Sequence, residues 1–124
     1  MRVGCDIVEN ARIKALVLKH QVHLIGRVFT QLEWDYCSRQ KNPYPSFAVR
    51  FAAKEAVAKA LGVGIGKSLK WISVEIIRDA LGMPHVKLDN LGQDLLKICG
   101  GNGIQISLSH SREYALAVAV IDKN

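Results

Sequence analysis

Arg50-Phe-Ala-Ala-Lys-Glu-Ala-Val-Ala-Lys-Ala-Leu-Gly-Val-Gly-Ile-Gly66 is the stretch of sequence that decides the fold. Up to Leu61, only three charged residues interrupt a run of Ala, Val, Leu and Phe, which predicts a helix packed over most of its surface. The glycines that follow predict a left-handed end to this helix and then a flexible loop. Its charged residues are Lys54, Glu55 and Lys59. Because the helix is otherwise apolar, these side chains need partners.

Glu55 and Lys59 lie one turn apart, with their side chains projecting about 40° from each other around the helix axis. One interpretation is a local ion pair, which contributes about 0.3–0.5 kcal/mol on an exposed helix. The other is a carboxylate that binds a metal ion beside an ammonium group that binds phosphate. This segment alone does not distinguish between them.

Composition restricts the classes of partner. The chain has 124 residues, which predicts a single domain over 1–124 and, at this small size, is consistent with a site shared between subunits. A net charge of +6 indicates an anionic partner, which could be nucleic acid, a phosphorylated small molecule or an acidic protein. Aromatic residues make up only 6% of the chain, so the stacking platforms of a single-strand binder are largely missing.

The cysteines and the N-terminus indicate a cytoplasmic protein. Cys5, Cys37 and Cys99 are far apart, odd in number and without a Cys-x-x-Cys pair, so we expect reduced thiols and no zinc site. The acidic residues near the N-terminus do not suit a signal peptide. The longest apolar segment, from 114 to 121, has eight residues, so no membrane span is expected.

Hydrophobic periodicity and capping residues predict the other elements. The predicted strands cover residues 2–8, 68–78, 85–88, 104–110 and 114–122. Apart from the long helix, the predicted helices are 11–19, one that ends by Gln40, and 91–99. Their predicted N-caps are Asn10, Thr30 (with Glu33 completing a capping box), Ser46 for the long helix, and Asn90.

Turn signals separate these elements and define the fold class. The predicted connections are a loop at 41–46 with two prolines, turns at 79–84 and 111–113, and a helix stop at Gly100-Gly101. The two strand pairs therefore read as hairpins. A strand, several helices, a hairpin, a helix and a hairpin, in that order, predict an α+β fold in which a mainly antiparallel sheet packs on the long helix.

Two groups of residues could carry chemistry. Asp6 and Glu55 are carboxylates in apolar sequence, and if they converge they form a hard oxygen site that suits Mg²⁺, unless each pairs with a basic neighbour. Alternation places Ser107, Ser109 and Ser111 on one face of a strand that ends at His110 in hydrogen-bond donors, which suits a phosphate. A hydrolytic triad is disfavoured because no Gly-x-Ser-x-Gly elbow is present. A dinucleotide fingerprint is excluded because the glycine loop follows a helix.

Three collinear segments together resemble the holo-[acyl-carrier-protein] synthases among the phosphopantetheinyl transferases. The first is Gly4-Cys5-Asp6-Ile7-Val8, followed by Arg12-Ile13. The second is the stretch 50–56 with Lys59-Ala60 and the glycines after it, and the third runs from Ser107 to Ala115. The resemblance spans essentially the whole chain and implies the phosphopantetheinyl transferase fold. It also implies transfer of 4'-phosphopantetheine from coenzyme A to a serine of apo acyl carrier protein, as used in fatty acid biosynthesis, with release of adenosine 3',5'-bisphosphate.

The same resemblance assigns roles to individual residues. It implies that Asp6 and Glu55 bind Mg²⁺ and that both are catalytic, together with Lys59 on the diphosphate. The coenzyme A-binding residues that it implies are Arg50, Lys59, Gly62, Gly64, Pro84, His110 and Ser111, of which Arg50, His110 and Ser111 lie near the 3'-phosphate. It further implies a homotrimer with sites between subunits. The docking candidates for the acidic carrier are Arg12, Lys19 and Arg27.

Two other functions fit parts of the sequence. A small basic nucleic-acid-binding module would account for the net charge, although few aromatic residues and two carboxylates in apolar sequence argue against it. A phosphopantetheine-binding regulator without catalytic activity would account for the motifs, although both carboxylates are retained. Activity with coenzyme A distinguishes the transferase from both.

Overall fold

The computed structural model describes residues 1–123. Over these residues, five β-strands and four α-helices follow one another, with short 3₁₀ turns at Gln21–Leu24 and Trp71–Ser73. The elements are β1 (Arg2–Glu9), α1 (Asn10–His20), α2 (Gln31–Ser38), α3 (Tyr44–Leu61), β2 (Val74–Arg78), β3 (Pro84–Leu88), α4 (Asn90–Ile98), β4 (Gly101–His110) and β5 (Tyr114–Lys123). No helix among the described residues is long and apolar enough to cross a membrane.

The strands form two antiparallel sheets, and α3 packs on the larger one. That sheet has the order β1-β5-β4, while β2 and β3 form a two-stranded hairpin. The even-numbered residues of β1 and the odd-numbered residues of β5 face α3, as their burial pattern shows. Asp6 pairs with Ala117 and His110 pairs with Ala115, so both side chains lie on the α3 side of the sheet. The predicted α+β fold is confirmed.

Helix α3 is buried almost all round because its small residues let other backbones approach. Gly4 of β1 lies so close that a Cβ there would be 1.9 Å from the carbonyl oxygen of Ala56 and 2.7 Å from the amide nitrogen of Ala60. The helix ends at Gly62 with φ of 77°, as predicted, and Gly66 also has a positive φ of 88°. This close packing of β1 on α3 sets how near their side chains come to each other.

Lys54 of α3 belongs to a fully buried polar network. It forms an ion pair with Glu33 at 2.8 Å, and both side chains are 0% exposed. Its ammonium also donates to the carbonyl oxygens of Trp71 and Val74. Burial lowers the pKa of Lys54, and the charge of Glu33 opposes that shift. The network joins α2, α3 and the start of β2. Glu33 also forms a capping box with Thr30 at the start of α2, which confirms the prediction from the sequence.

Three predicted helix caps are wrong, and the side chains of two of them, Asn10 and Ser46, form other hydrogen bonds. Asn10 is the first residue of α1 rather than its cap, since its amide donates to the carbonyls of the 111–113 turn. Ser46 lies inside α3, because the helix already begins at Tyr44 and proline is tolerated in a first helical turn. The hydroxyl of Ser46 accepts a hydrogen bond from Arg50 instead of capping the helix. Asp89 replaces Asn90 as the cap of α4 and accepts from the amide of Gly92.

The strand predicted over 68–78 is shorter than expected. Only Val74–Arg78 forms β2, and Trp71–Ser73 makes a 3₁₀ turn before it. The carbonyl groups of Trp71 and Val74 accept bonds from the buried Lys54, which bends this segment around the ammonium group. Gly101, predicted to close α4 with Gly100, instead begins β4, while Gly100 supplies the left-handed residue with φ of 79°.

The outer face of the larger sheet, which points away from α3, is mostly apolar over β1 and β5, whereas β4 contributes Gln105, Ser107 and Ser109 to it. Val3 and Ile7 of β1 are 58% and 60% exposed there, beside Tyr114 and Leu116 of β5. An antiparallel sheet with one solvated face normally carries polar residues on that face. In a single chain this face is an uncovered hydrophobic surface.

Candidate active site

Asp6, Glu55 and Lys59 come together where β1 crosses α3. The ammonium of Lys59 lies 3.0 Å from Oδ1 of Asp6 and 2.9 Å from the carbonyl oxygen of Cys5. One interpretation of the sequence required a local ion pair between Glu55 and Lys59. Within residues 1–123, no such pair has a nitrogen–oxygen distance of 4.0 Å or less. Lys59 therefore bridges from the helix to the strand, which leaves the carboxylate of Glu55 available.

The environment of Glu55 disfavours its negative charge. Burial raises the pKa of this carboxyl group, and the neighbouring charge of Asp6 raises it further. The positive charges of Lys59 and Arg12 act in the opposite direction. Glu55 therefore takes up a proton at a higher pH than an ordinary glutamate, and a cation placed between the two carboxylates would relieve their repulsion.

The two carboxylates are a suitable donor set for Mg²⁺. Within the described residues, no cluster of three or more His, Cys, Asp and Glu side chains could hold a metal, so the protein offers Asp6 and Glu55 as a pair. Mg²⁺ commonly binds one or two carboxylates and takes its other ligands from water and substrate phosphates. The mutual repulsion seen in the pKa of Glu55 is what such an ion would neutralise.

His110 lies in a different region, beside the first half of α3. It lines a cleft of about 360 Å³ together with Ser46, Val49 and Arg78. A smaller cleft of about 270 Å³ shares Val49, Arg78 and His110 and adds Leu108 and Ser109. Ten residues of helix separate Val49 from Lys59, which corresponds to about 15 Å along the axis. The site residues predicted from the sequence therefore form two groups in one chain. The first is the Lys59 group, with Asp6 and Glu55, and the second is the His110 group, beside the first half of α3.

Of the other predicted coenzyme A-binding residues, Gly62 and Gly64 follow Lys59 at the end of α3, in the first group. Pro84 pairs with Arg78 in the β2–β3 hairpin, in the second group. Ser111 lies in the turn after β4, where its hydroxyl accepts from the amide of Tyr114 at 3.1 Å. It thus directly follows His110 in the chain.

Arg50 is held inside the protein. It is only 1% exposed, its Nη1 donates to the hydroxyl of Ser46 at 2.8 Å, and its guanidinium lies 4.5 Å from the ring centre of Tyr36. It lines a separate cavity of about 180 Å³ that also contains Glu33 and Asp35. The structure therefore places Arg50 near the His110 cleft, through Tyr36 and Ser46, without making it part of the lining.

Two of the three predicted docking residues lie on one groove. Arg12 and Lys19 of α1 line a cleft of about 430 Å³ with Phe51 and Trp71 in its wall. The rings of Phe51 and Trp71 stack at 4.6 Å, and the guanidinium of Arg12 lies 5.6 Å from the ring centre of Phe51. Arg27 is exposed but does not line this groove.

Sequence reasoning missed several residues of these regions. Trp71 and His20 in the groove carried no motif, and Trp71 was assigned only to a strand. Arg78 was treated as the end of a strand, although it lines both clefts beside His110. A basic residue immediately before a predicted turn was the only available signal for Arg78.

Comparisons with known proteins identify the family of the chain. Residues 2–119 match the family described as the 4'-phosphopantetheinyl transferase superfamily. The chain is 48% identical over 118 residues to a holo-[acyl-carrier-protein] synthase of Chlamydia caviae, covering 95% of this chain and 93% of that protein. Among solved structures it is similar to the holo-[acyl-carrier-protein] synthase of Neisseria meningitidis, with a TM-score of 0.88, 34% identity and 98% coverage of both chains. It is also similar to the Helicobacter pylori holo-[acyl-carrier-protein] synthase in complex with coenzyme A, with a TM-score of 0.84, 31% identity and coverage of 97% of this chain and 99% of that one.

Proposed function

The chain belongs to the 4'-phosphopantetheinyl transferase superfamily and is a transferase, and on that premise we propose that it converts apo acyl carrier protein to the holo form with coenzyme A as donor. The second product is adenosine 3',5'-bisphosphate, and the holo carrier serves fatty acid biosynthesis. One observation supports this function above all: Asp6, Glu55 and Lys59 converge between β1 and α3. The three cysteines are free thiols, which supports a cytoplasmic enzyme.

Asp6 and Glu55 would hold Mg²⁺ in this enzyme. When bound, the ion neutralises charge on the diphosphate of coenzyme A and on the oxygens that become negative during transfer. The support for this assignment is the repulsion between the two carboxylates, which raises the pKa of Glu55. Neither carboxylate is deeply buried, so both are accessible to substrate oxygens.

Lys59 supplies the fixed positive charge of the site. A lysine ammonium has three N–H donors, and two of them are used on Asp6 and on the carbonyl of Cys5. The third is free for a diphosphate oxygen. In the transfer, the carrier serine oxygen forms a bond to the β-phosphorus while the bond from that phosphorus to the bridging oxygen breaks. The bridging oxygen leaves on adenosine 3',5'-bisphosphate with the electron pair of that bond, and the serine proton passes to solvent. Lys59 stabilises the charge that accumulates on these oxygens.

The groove along α1 suits an acidic carrier protein. Arg12 and Lys19 give it positive charge, and Phe51 and Trp71 give it an apolar wall. An acidic helix with an apolar residue on its inner face is complementary to both features. Because the charge of Arg12 also acts on Glu55, this groove opens next to the metal-binding carboxylates, where the carrier serine must arrive. Arg27 is exposed after α1 and does not line the groove, so it is the weakest of the three docking candidates.

A homotrimer with sites between subunits accounts for two other features. The apolar outer face of the sheet, which includes Val3, Ile7 and Leu116, needs a cover, and a second copy of the chain supplies one. The Lys59 group and the His110 group lie at different ends of α3, so a neighbouring subunit can present one group to the other. Sedimentation should give three times the chain mass of 13.7 kDa.

Mixing two impaired variants tests the shared site. Asp6→Asn removes a residue of the Lys59 group, and His110→Ala removes one of the other group. If each site takes one group from each of two neighbours, co-assembled trimers regain roughly a quarter of the parent activity from random pairing. Activity in the mixture no higher than the average of the two variants, or a monomeric parent, would contradict the proposal.

Mass spectrometry tests the reaction directly. Incubation of the protein with coenzyme A, Mg²⁺ and an apo acyl carrier protein should add the mass of one phosphopantetheine arm to the carrier. The same mixture with a carrier whose acceptor serine is changed to Ala should show no addition. Binding of coenzyme A without any mass gain across several carriers would favour a regulator, and salt-sensitive nucleic-acid binding without response to coenzyme A would favour a basic binding module.

A further inference from the structure

Lys54 carries a buried ammonium group that the transfer reaction does not use. Its side chain is 0% exposed, so it contacts neither coenzyme A nor the carrier. A lysine ammonium has three N–H donors, and all three are committed, one to Glu33 at 2.8 Å and two to the carbonyl oxygens of Trp71 and Val74. Burying such an ion pair costs desolvation energy that an apolar pair of similar volume avoids. Stability alone therefore does not account for a charge at this position.

The ion pair fixes the backbone of the segment that leads into β2. The carbonyl groups of Trp71 and Val74, which both accept from the ammonium, lie on either side of the turn that precedes the strand. Glu33 accepts from the amide of Ile76 at 2.9 Å, two residues further on. Three backbone groups between 71 and 76 are thus bonded to one side chain on α2 and one on α3. The pair sets the position of this segment relative to both helices.

The first residue of that segment forms the aromatic wall of the groove along α1. The rings of Trp71 and Phe51 stack with their centres 4.6 Å apart and their planes 29° apart. Trp71 is only half-buried, and it lines the groove together with Arg12 and Lys19. Its ring is therefore held by Phe51 and its carbonyl group by Lys54. An aromatic side chain that is fixed in advance loses little conformational entropy when a partner packs on it.

We propose that Lys54 is a positioning residue for carrier recognition, because it holds the backbone of Trp71 and thereby fixes the aromatic wall of the groove. The inference rests on the proposed function, which places the acidic carrier in this groove. It gives the buried pair an effect on the affinity for the carrier and none on the cleft beside His110. Lys54 acts only through Trp71 and never touches the carrier.

A double-mutant cycle tests whether Lys54 acts through Trp71. Glu33→Gln/Lys54→Met removes both charges together, so that no uncompensated charge stays buried. We expect this variant to raise KM for an apo acyl carrier protein by about 10-fold and to change kcat by less than about twofold, and we expect the same of Trp71→Ala. Combined with Trp71→Ala, the pair of substitutions should raise KM further by less than about twofold. Effects that multiply would overturn the proposal, and so would a Trp71→Ala variant with the parent KM.

Two further variants separate positioning from lost stability. Ile121→Ala removes core packing in β5, where Ile121 is 0% exposed, without changing any residue of the groove. It should leave KM for the carrier within about twofold of the parent value, and an increase equal to that of Glu33→Gln/Lys54→Met would show that lost stability explains the effect. If that double variant does not fold, Lys54→Arg takes its place in the cycle. Its planar guanidinium keeps the charge beside Glu33 but offers the two carbonyl groups a different donor geometry.

Binding without catalysis separates this inference from the proposed function. Calorimetry should show that Glu33→Gln/Lys54→Met raises the dissociation constant of the apo carrier by about 10-fold and changes that of adenosine 3',5'-bisphosphate by less than about twofold. If the parent protein transfers no phosphopantetheine but binds the carrier in this Lys54-dependent way, the proposed function fails and the role of Lys54 stands. If the parent transfers phosphopantetheine and the variant binds the carrier as tightly as the parent does, the proposed function stands and Lys54 has no positioning role.

Discussion

Glu55→Gln is expected to reduce phosphopantetheine transfer by at least about 100-fold at a fixed Mg²⁺ concentration, since even changes one layer outside a metal site cost about 10- to 100-fold. The amide keeps the size of the side chain but removes the negative charge that a hard cation requires. It also removes the repulsion with Asp6, so the folded protein loses an unfavourable interaction. We therefore expect full folding together with weak metal binding.

Three measurements separate these effects. Circular dichroism should give a melting temperature for Glu55→Gln no lower than that of the parent. Titration with Mn²⁺, followed by electron paramagnetic resonance, should show a large loss of affinity, and excess Mg²⁺ should restore part of the activity. Asp94→Asn, which removes an exposed carboxylate on α4, is the control and should behave like the parent. A Glu55→Gln variant with the parent rate would show that this carboxylate is not a metal ligand.

Gly4→Ala is expected to destabilise the protein by about 3 kcal/mol or more, the upper end for an overpacked core, and to lower the melting temperature by about 10 °C or more. The added Cβ would lie 1.9 Å from the carbonyl oxygen of Ala56, a backbone atom that cannot rotate away. Relief therefore requires β1 to move off α3. Such a shift separates Asp6 from Lys59 and Glu55, so transfer activity should fall with stability.

Gly103→Ala provides the matched control for this substitution. A Cβ at Gly103 meets no atom within 4 Å, and its φ is not in the left-handed region, so the change should have little effect. Urea denaturation of both variants gives their free energies of unfolding. If Gly4→Ala is as stable as Gly103→Ala, or if it is unstable but binds Mn²⁺ with the parent affinity when folded, the close approach of β1 to α3 does not set the geometry of the site.

Local sequence predicted those features that depend on neighbouring residues. The capping box of Thr30 and Glu33 and the left-handed end at Gly62 were confirmed, because each needs only a few consecutive residues. The apolar character of α3 correctly predicted its burial. The fold class followed because the order of periodic segments restricts the possible layers.

Other features depend on contacts between distant segments, which local sequence does not encode. Asn10 and Ser46 looked like helix caps, but their side chains bond to the 111–113 turn and to Arg50. The local ion-pair interpretation of Lys59 placed its charge on Glu55, one turn away, whereas the fold brings Asp6 within reach. Arg78 lines the clefts with His110 only because the fold brings the β2–β3 hairpin beside α3 and the end of β4.

The hydrogen bonds of Asn10 make α1 and the 111–113 turn a single mechanical unit. The side-chain amide of Asn10 donates to the carbonyls of Ser111 and Arg112 at 3.2 Å each, and its backbone amide donates to that of Glu113 at 2.8 Å. These bonds couple the start of α1 directly to the turn that follows β4. Moving the helix relative to the turn requires all three of them to break.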